Sequence, residues 1–144
     1  MSELDTLITE FSSHFSLTEE DVINKLTASK GWDGKYREIM LLGKNLGLFG
    51  PELKIEEALV NGCESSVWLH HIWQQDKLVL AVSSDSKIVR GLLAIVLAKF
   101  QGKTKQEVLT ADIETYFATL GLAQHLSPSR TNGINSIVEK IKSL

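Results

Sequence analysis

The chain has 144 residues, 43% hydrophobic and 23% charged, which fits one compact domain that folds without disulfides or structural metals and excludes a disordered chain. Its formal net charge of −3 offers no basic field to a phosphate backbone, so nucleic acid is not expected as a partner. An acidic N-terminus (Glu3, Asp5, Glu10), an apolar run at 92–98 too short to span a bilayer, and a single cysteine, Cys63, predict a cytoplasmic protein without leader, membrane span or internal disulfide.

Leu4, Leu7, Ile8 and Phe11 recur at helical spacing and predict a short amphipathic helix at the start. Thr18 before Glu19, Glu20 and Asp21 reads as an N-cap with acids in the first turn, and Val22, Ile23 and Leu26 form the apolar face that follows. Trp32, Tyr36, Ile39, Met40 and Gly43 mark a third helix closing near Gly47, after which Gly50-Pro51 breaks the chain.

From Ser65 the pattern changes to alternation. Val67, Leu69, His71 and Trp73 interleave with Trp68, His70 and Ile72, predicting a strand apolar or aromatic on both faces. A turn at 74–76 leads to a returning strand at 77–82. A two-stranded hairpin alone is marginal, so a third strand is expected within 54–60.

Ser84 or Asp85 is expected to cap a helix reaching about Phe100. Its Ile88, Val89, Leu92, Leu93, Ile95, Val96 and Leu97 cover most of the circumference, the signature of a central buried helix. Gly102 stops it. A further helix runs over 112–120 and ends at Gly121. Ser127-Pro128 starts the last one, with Ile134, Ile137, Val138 and Ile141 facing inward. Helices flanking a small antiparallel sheet of about three strands make a single α+β domain over 1–144.

Cys63 lies in Asn61-Gly62-Cys63-Glu64-Ser65-Ser66, a polar segment before the first strand. A lone cysteine often serves as a small buried hydrophobe. A glycine-containing polar loop instead suits a presented side chain. Thiol chemistry needs a thiolate, which cations favour and Glu64 opposes; Arg90 and Arg130 are the candidates to offset it. Arg130, in the first turn of the last helix, opposes the helix dipole, so it is either held for a contact elsewhere or simply solvated. Asp85 most simply caps its helix. Among His70, His71 and His125, the first two face opposite sides of a strand, so at most one reaches any given site. Ligand spacing for a zinc site is lacking, and no metal or cofactor is expected.

Four separated blocks carry a family resemblance. They are Gly31-Trp32-Asp33 with Lys35-Tyr36-Arg37 and Leu42-Gly43-Lys44; Gly62-Cys63-Glu64-Ser65 with Val67-Trp68-Leu69; Asp85-Ser86 with Ile88-Val89-Arg90-Gly91-Leu92-Leu93; and His125-Leu126-Ser127-Pro128-Ser129-Arg130 with Asn132-Gly133. In this order the chain resembles the SufE/CsdE family of sulfur-acceptor proteins over 31–140, with 1–28 a helical segment lacking the signature. Arg90-Gly91-Leu92-Leu93 and Gln101-Gly102-Lys103-Thr104 are closer to the CsdE branch.

The resemblance implies a SufE/IscU-like fold. It implies a Cys63 that accepts sulfur as a persulfide from a pyridoxal-phosphate-dependent cysteine desulfurase, stimulating that enzyme. The sulfur then passes to a downstream scaffold or carrier for iron–sulfur cluster or other sulfur-compound biosynthesis. Asp85 and Arg130 match family positions around the cysteine loop. The protein is then a transfer partner, not an enzyme in its own right. The alternatives are an iron–sulfur assembly scaffold, which one cysteine disfavours, a cysteine hydrolase using a histidine, and an interaction domain with an inert cysteine.

Overall fold

The computed structural model describes residues 2–122 and 126–144. The chain begins with three helices, α1 (Glu3–Ser13), α2 (Glu19–Ala28) and α3 (Gly31–Leu42), the last continued by a 3-10 turn over Gly43–Asn45. A second 3-10 turn, Glu56–Ala58, precedes the hairpin of β1 (Val67–Gln74) and β2 (Lys77–Ser84). Then come α4 (Lys87–Phe100), α5 (Lys105–Thr110), α6 (Ile113–Leu120) and α7 (Pro128–Lys142). The expected mixed α+β class holds.

The local signals behave as their chemistry dictates. Thr18 and Asp21 form a reciprocal capping box, Thr18 Oγ1 accepting from Asp21 N at 3.0 Å and Asp21 Oδ2 from Thr18 N at 3.1 Å. Gly121 closes α6 in the left-handed region, with φ of 72°. The hairpin turns on Gln75 and Asp76, whose φ values of 52° and 64° make the two-residue turn that matches strand twist. One helix escapes a periodicity reading: α5 spans only 6 residues, too few to show a repeat, although Thr104 and Glu107 build a second capping box for it.

The expected third strand is not formed. Residues 56–58 coil into a 3-10 turn, which leaves only an isolated bridge between Leu59 and Trp68 and a hydrogen bond from Val60 N to Val67 O at 2.9 Å. A two-stranded sheet persists because both its edges are occupied in other ways. Beyond β2, Gln101 mimics a strand backbone: its Oε1 accepts from Leu80 N at 2.7 Å and its Nε2 donates to Leu80 O at 2.9 Å. Leu78 N and O bond to Lys103 O and Gly102 N, each at 2.8 Å. On the β1 side, His70 Nε2 lies 2.7 Å from Leu53 O.

Helix α4 is the buried axis expected of it. Ile88, Leu92, Leu93, Ala94, Ile95, Val96, Leu97 and Phe100 are all in the core, and each large side chain contributes about 1.5–3 kcal/mol of burial. Gly91 lets α3 approach closely, since a Cβ there would stand 2.0 Å from Ile39 O. Tyr116 ties α6 to the same axis by donating its hydroxyl proton to Ile95 O at 2.8 Å.

The cap of α4 differs from expectation. Ser86 is the N-cap, its Oγ accepting from Val89 N at 3.4 Å. Ser84, buried at the end of β2, uses its Oγ to accept from Ser86 N at 3.2 Å. Asp85 lies between them, exposed, and caps nothing. The strand runs as far as Ser84, so the last extended residue before the first helical turn is two positions later.

Candidate functional site

Three elements bring residues distant in sequence to Cys63. The loop before β1 carries the cysteine itself; α4 contributes Val89 and Leu92; α7 contributes Ser129, Arg130, Gly133, Ile134 and Ile137. They enclose a cavity of about 60 Å³ that Glu64, Ser65 and Val67 complete. A single water needs roughly 10–15 Å³ on this measure, so the space admits one further sulfur atom beside the thiol.

Backbone geometry places the thiol. Gly62 has φ of 90°, a conformation that L side chains resist. A Cβ at Gly62 would also meet Ser136 Oγ at 2.5 Å, so the loop lies against the small-residue face of α7. One turn back along that face, the Cys63 thiol points at Gly133 O with Sγ and O 3.6 Å apart. The cysteine is half-buried, neither sealed in the core nor fully presented.

The electrostatics of this arrangement favour the neutral thiol. Burial pushes the Cys63 pKa up, and donation to a carbonyl stabilises the protonated form as well. Of the two arginines considered as thiolate promoters, only Arg130 lines the cavity. Among the described residues its guanidinium has neither an ion-pair nor a hydrogen-bond partner. Arg90 is turned away: its Nη1 donates to Ser84 O at 2.9 Å, and it lines a separate groove with Arg37, Lys44 and Lys87.

Asp85, like Arg90, does not line the cavity, whereas Glu64 does. Neither described histidine of the hairpin reaches it: His70 is buried against Leu53 O, and His71 is exposed on the outer part of β1. His125 lies outside the described residues. Sequence reasoning does not single out Gly133 as a site residue, although a glycine inside a helical pattern signals close backbone approach. Here the approach is to Cys63: a Cβ at Gly133 would sit 3.7 Å from Sγ. Among the described residues no cluster of three or more His, Cys, Asp or Glu is placed to hold a metal ion, and no helix is long and apolar enough to cross a membrane.

Comparison with known proteins gives a consistent picture. Residues 20–144 match the family model described as SufE, Fe-S metabolism associated domain. An uncharacterized SufE-like protein of Rhizobium meliloti is 38% identical over 128 residues, 86% of this chain and 91% of that one. The sulfur acceptor protein CsdE of Escherichia coli is 35% identical over 136 residues, 92% of each chain. The solution structure of a hypothetical protein from Thermus thermophilus shares the fold with a TM-score of 0.68, at 12% identity over 87% of this chain and 90% of that one.

Proposed function

Because this chain belongs to the SufE family, we propose that Cys63 accepts sulfur as a persulfide from a pyridoxal-phosphate-dependent cysteine desulfurase and hands it on to a further thiol. The observation that carries the reading is the half-buried Cys63 thiol beside a cavity of about 60 Å³ with room for one more sulfur. Likeness to a sulfur acceptor protein, 35% identical over 92% of each chain, supplies the chemistry to test.

At rest the thiol is protonated and directed at Gly133 O, which protects it from oxidants, since the thiolate is the species that oxidises. Movement of the loop about Gly62 breaks that contact and returns the thiol to solvent, where its proton leaves at the ordinary cysteine value. The thiolate then attacks the outer sulfur of the desulfurase persulfide. A new S–S bond forms on Cys63, the donor's S–S bond breaks, and the donor cysteine departs as a thiolate that takes a proton from solvent. One sulfur atom is transferred without net oxidation or reduction.

Returned to the cavity, the outer sulfur is sheltered, and the Arg130 guanidinium, which has no partner among the described residues, is available to a persulfide anion. Glu64 on the same wall limits how far that charge is stabilised. Clearing the donor's persulfide also frees the desulfurase for another turnover, so acceptance and stimulation are one act. A downstream scaffold or carrier thiol removes the sulfur by the same exchange in reverse roles.

Intact-mass measurement after incubation with a cysteine desulfurase and cysteine tests this. Wild type gains one sulfur atom, reductant removes it, and Cys63→Ser gains none. An unchanged wild-type mass with every desulfurase of the source organism would overturn the reading.

A further inference from the structure

Away from Cys63, a groove of about 350 Å³ runs between the end of α3 and the start of α4. It is lined by Arg37, Lys44, Lys87 and Arg90 together with Met40 and Leu41. Gly43 also lines it and packs closely on α4, since a Cβ on Gly43 would stand 3.0 Å from Gly91 N. In a chain whose net charge is −3, four cations converge here and no carboxylate lines the groove. Among the described residues the single ion pair is Lys99–Glu19, so none of the four is neutralised by a neighbour. Like charges gathered without counter-ions oppose folding, and an incoming acid relieves that repulsion.

The lining also describes the acid. Arg37 and Lys44 are seven positions apart, roughly 10 Å along a helical path, so the charges form a row and not a point. Arg90 is held in place by its bond to Ser84 O at 2.9 Å, whereas Arg37, Lys44 and Lys87 are exposed and free to reach. Leu41, 44% exposed, offers an apolar contact within the row. An extended acidic segment carrying an apolar residue satisfies all of these, and a lone phosphate satisfies only one end.

The groove and the thiol sit on different sides of one helix. Lys87 and Arg90 of α4 face the groove, while Val89 and Leu92 face the Cys63 cavity; at 100° per residue the two directions are about 160° apart. We infer that the α3–α4 groove is a docking surface for an acidic, leucine-containing segment of a partner protein, which binds without covering Cys63.

The test uses the full chain and a labelled peptide of repeating Glu-Glu-Leu, followed by fluorescence anisotropy and by amide NMR shifts. Binding weakens with added salt, and the shifts gather on Arg37, Leu41, Gly43, Lys44, Lys87 and Arg90. Double reversal, Lys44→Glu with Lys87→Glu, lowers affinity about tenfold or more, with circular dichroism reporting that the fold is intact. Leu41→Ser lowers affinity about threefold for this peptide and leaves an all-Glu peptide unaffected. Saturating peptide leaves the alkylation rate of Cys63 unchanged. No binding at low salt, shifts centred on the Cys63 loop, or displacement by inorganic phosphate or oligothymidylate at equal charge concentration would each overturn the inference.

Discussion

The thiol of Cys63 and the main-chain carbonyl of Gly133 are held 3.6 Å apart across 70 residues of sequence. The contact joins the loop before β1 to the first half of α7. The backbone of α7 passes close to the sulfur at Gly133, and Gly62, with φ of 90°, turns the cysteine toward it. At this junction the thiol is half-buried and its pKa is raised by burial.

Gly133→Ala separates packing from reactivity. The added Cβ would rest 3.7 Å from Sγ, an ordinary van der Waals distance, and alanine is the better helix former by about 0.8–1 kcal/mol. Urea denaturation is expected to show a variant about 0.5–1 kcal/mol more stable, with Cys63 alkylated more slowly because a methyl group now shields the sulfur. A loss of stability would mean that the junction tolerates no atom there.

Gly62→Ala acts in the opposite direction. Its φ of 90° strains any L side chain, and the new Cβ would meet Ser136 Oγ at 2.5 Å. A destabilisation of about 1–3 kcal/mol is expected, together with faster alkylation of a displaced Cys63. Adding Ser136→Gly removes the clash but not the backbone strain, so the double variant recovers only part of the stability. Full recovery would show that backbone conformation at Gly62 is unimportant.

The pH profile of Cys63 alkylation by iodoacetamide follows from its burial. Its folded pKa is raised above the unfolded value, so the rate is low at neutral pH and its inflection lies above that of an unfolded peptide thiol. The linkage has a definite sign: the folded state binds this proton more tightly. Its contribution to stability is therefore fully present below the unfolded pKa and is lost as pH rises through the folded one. An inflection at or below the unfolded value would contradict the geometry of the site.

Gly91→Ala tests the axis on which the site is built. A Cβ there would stand 2.0 Å from Ile39 O and 2.6 Å from Ile39 C, so α3 and α4 must separate along their contact. The expected loss is about 3 kcal/mol or more, at the upper end of overpacking effects, and is read as a fall in the urea midpoint. A midpoint within experimental error of wild type would mean that the helices cross less closely than described.

Much of the fold is legible in order along the chain. Short-range chemistry sets the helices: Thr18 with Asp21, and Ser127 before Pro128, place two N-termini, and the all-round apolar surface of 88–97 marks the buried axis. The hairpin follows from alternation at 67–73. Expectation and structure part where a choice is settled by a neighbour distant in sequence. A third strand is expected because a hairpin needs partners on its edges, yet the Gln101 side chain and the 102–103 backbone occupy one edge and Leu59 with Val60 brushes the other. The cap of α4 falls to Ser86, because pairing with Val67 extends β2 as far as Ser84.

Cys63 itself, its glycine neighbour and the family it belongs to were determined by the sequence alone, since a unique thiol and local motifs are properties of the chain order. Which groups surround that thiol was decided only by the tertiary structure. Arg90 and Arg130 are both candidates in the sequence, Arg130 marked only by its place in a first helical turn; packing of α4 and α7 turns Arg90 to Ser84 and a basic groove and leaves Arg130 on the wall of the cavity. The raised pKa of the cysteine likewise comes from burial among elements distant in the chain. Electrostatic environment depends on distance in space, and spacing along the chain does not encode it.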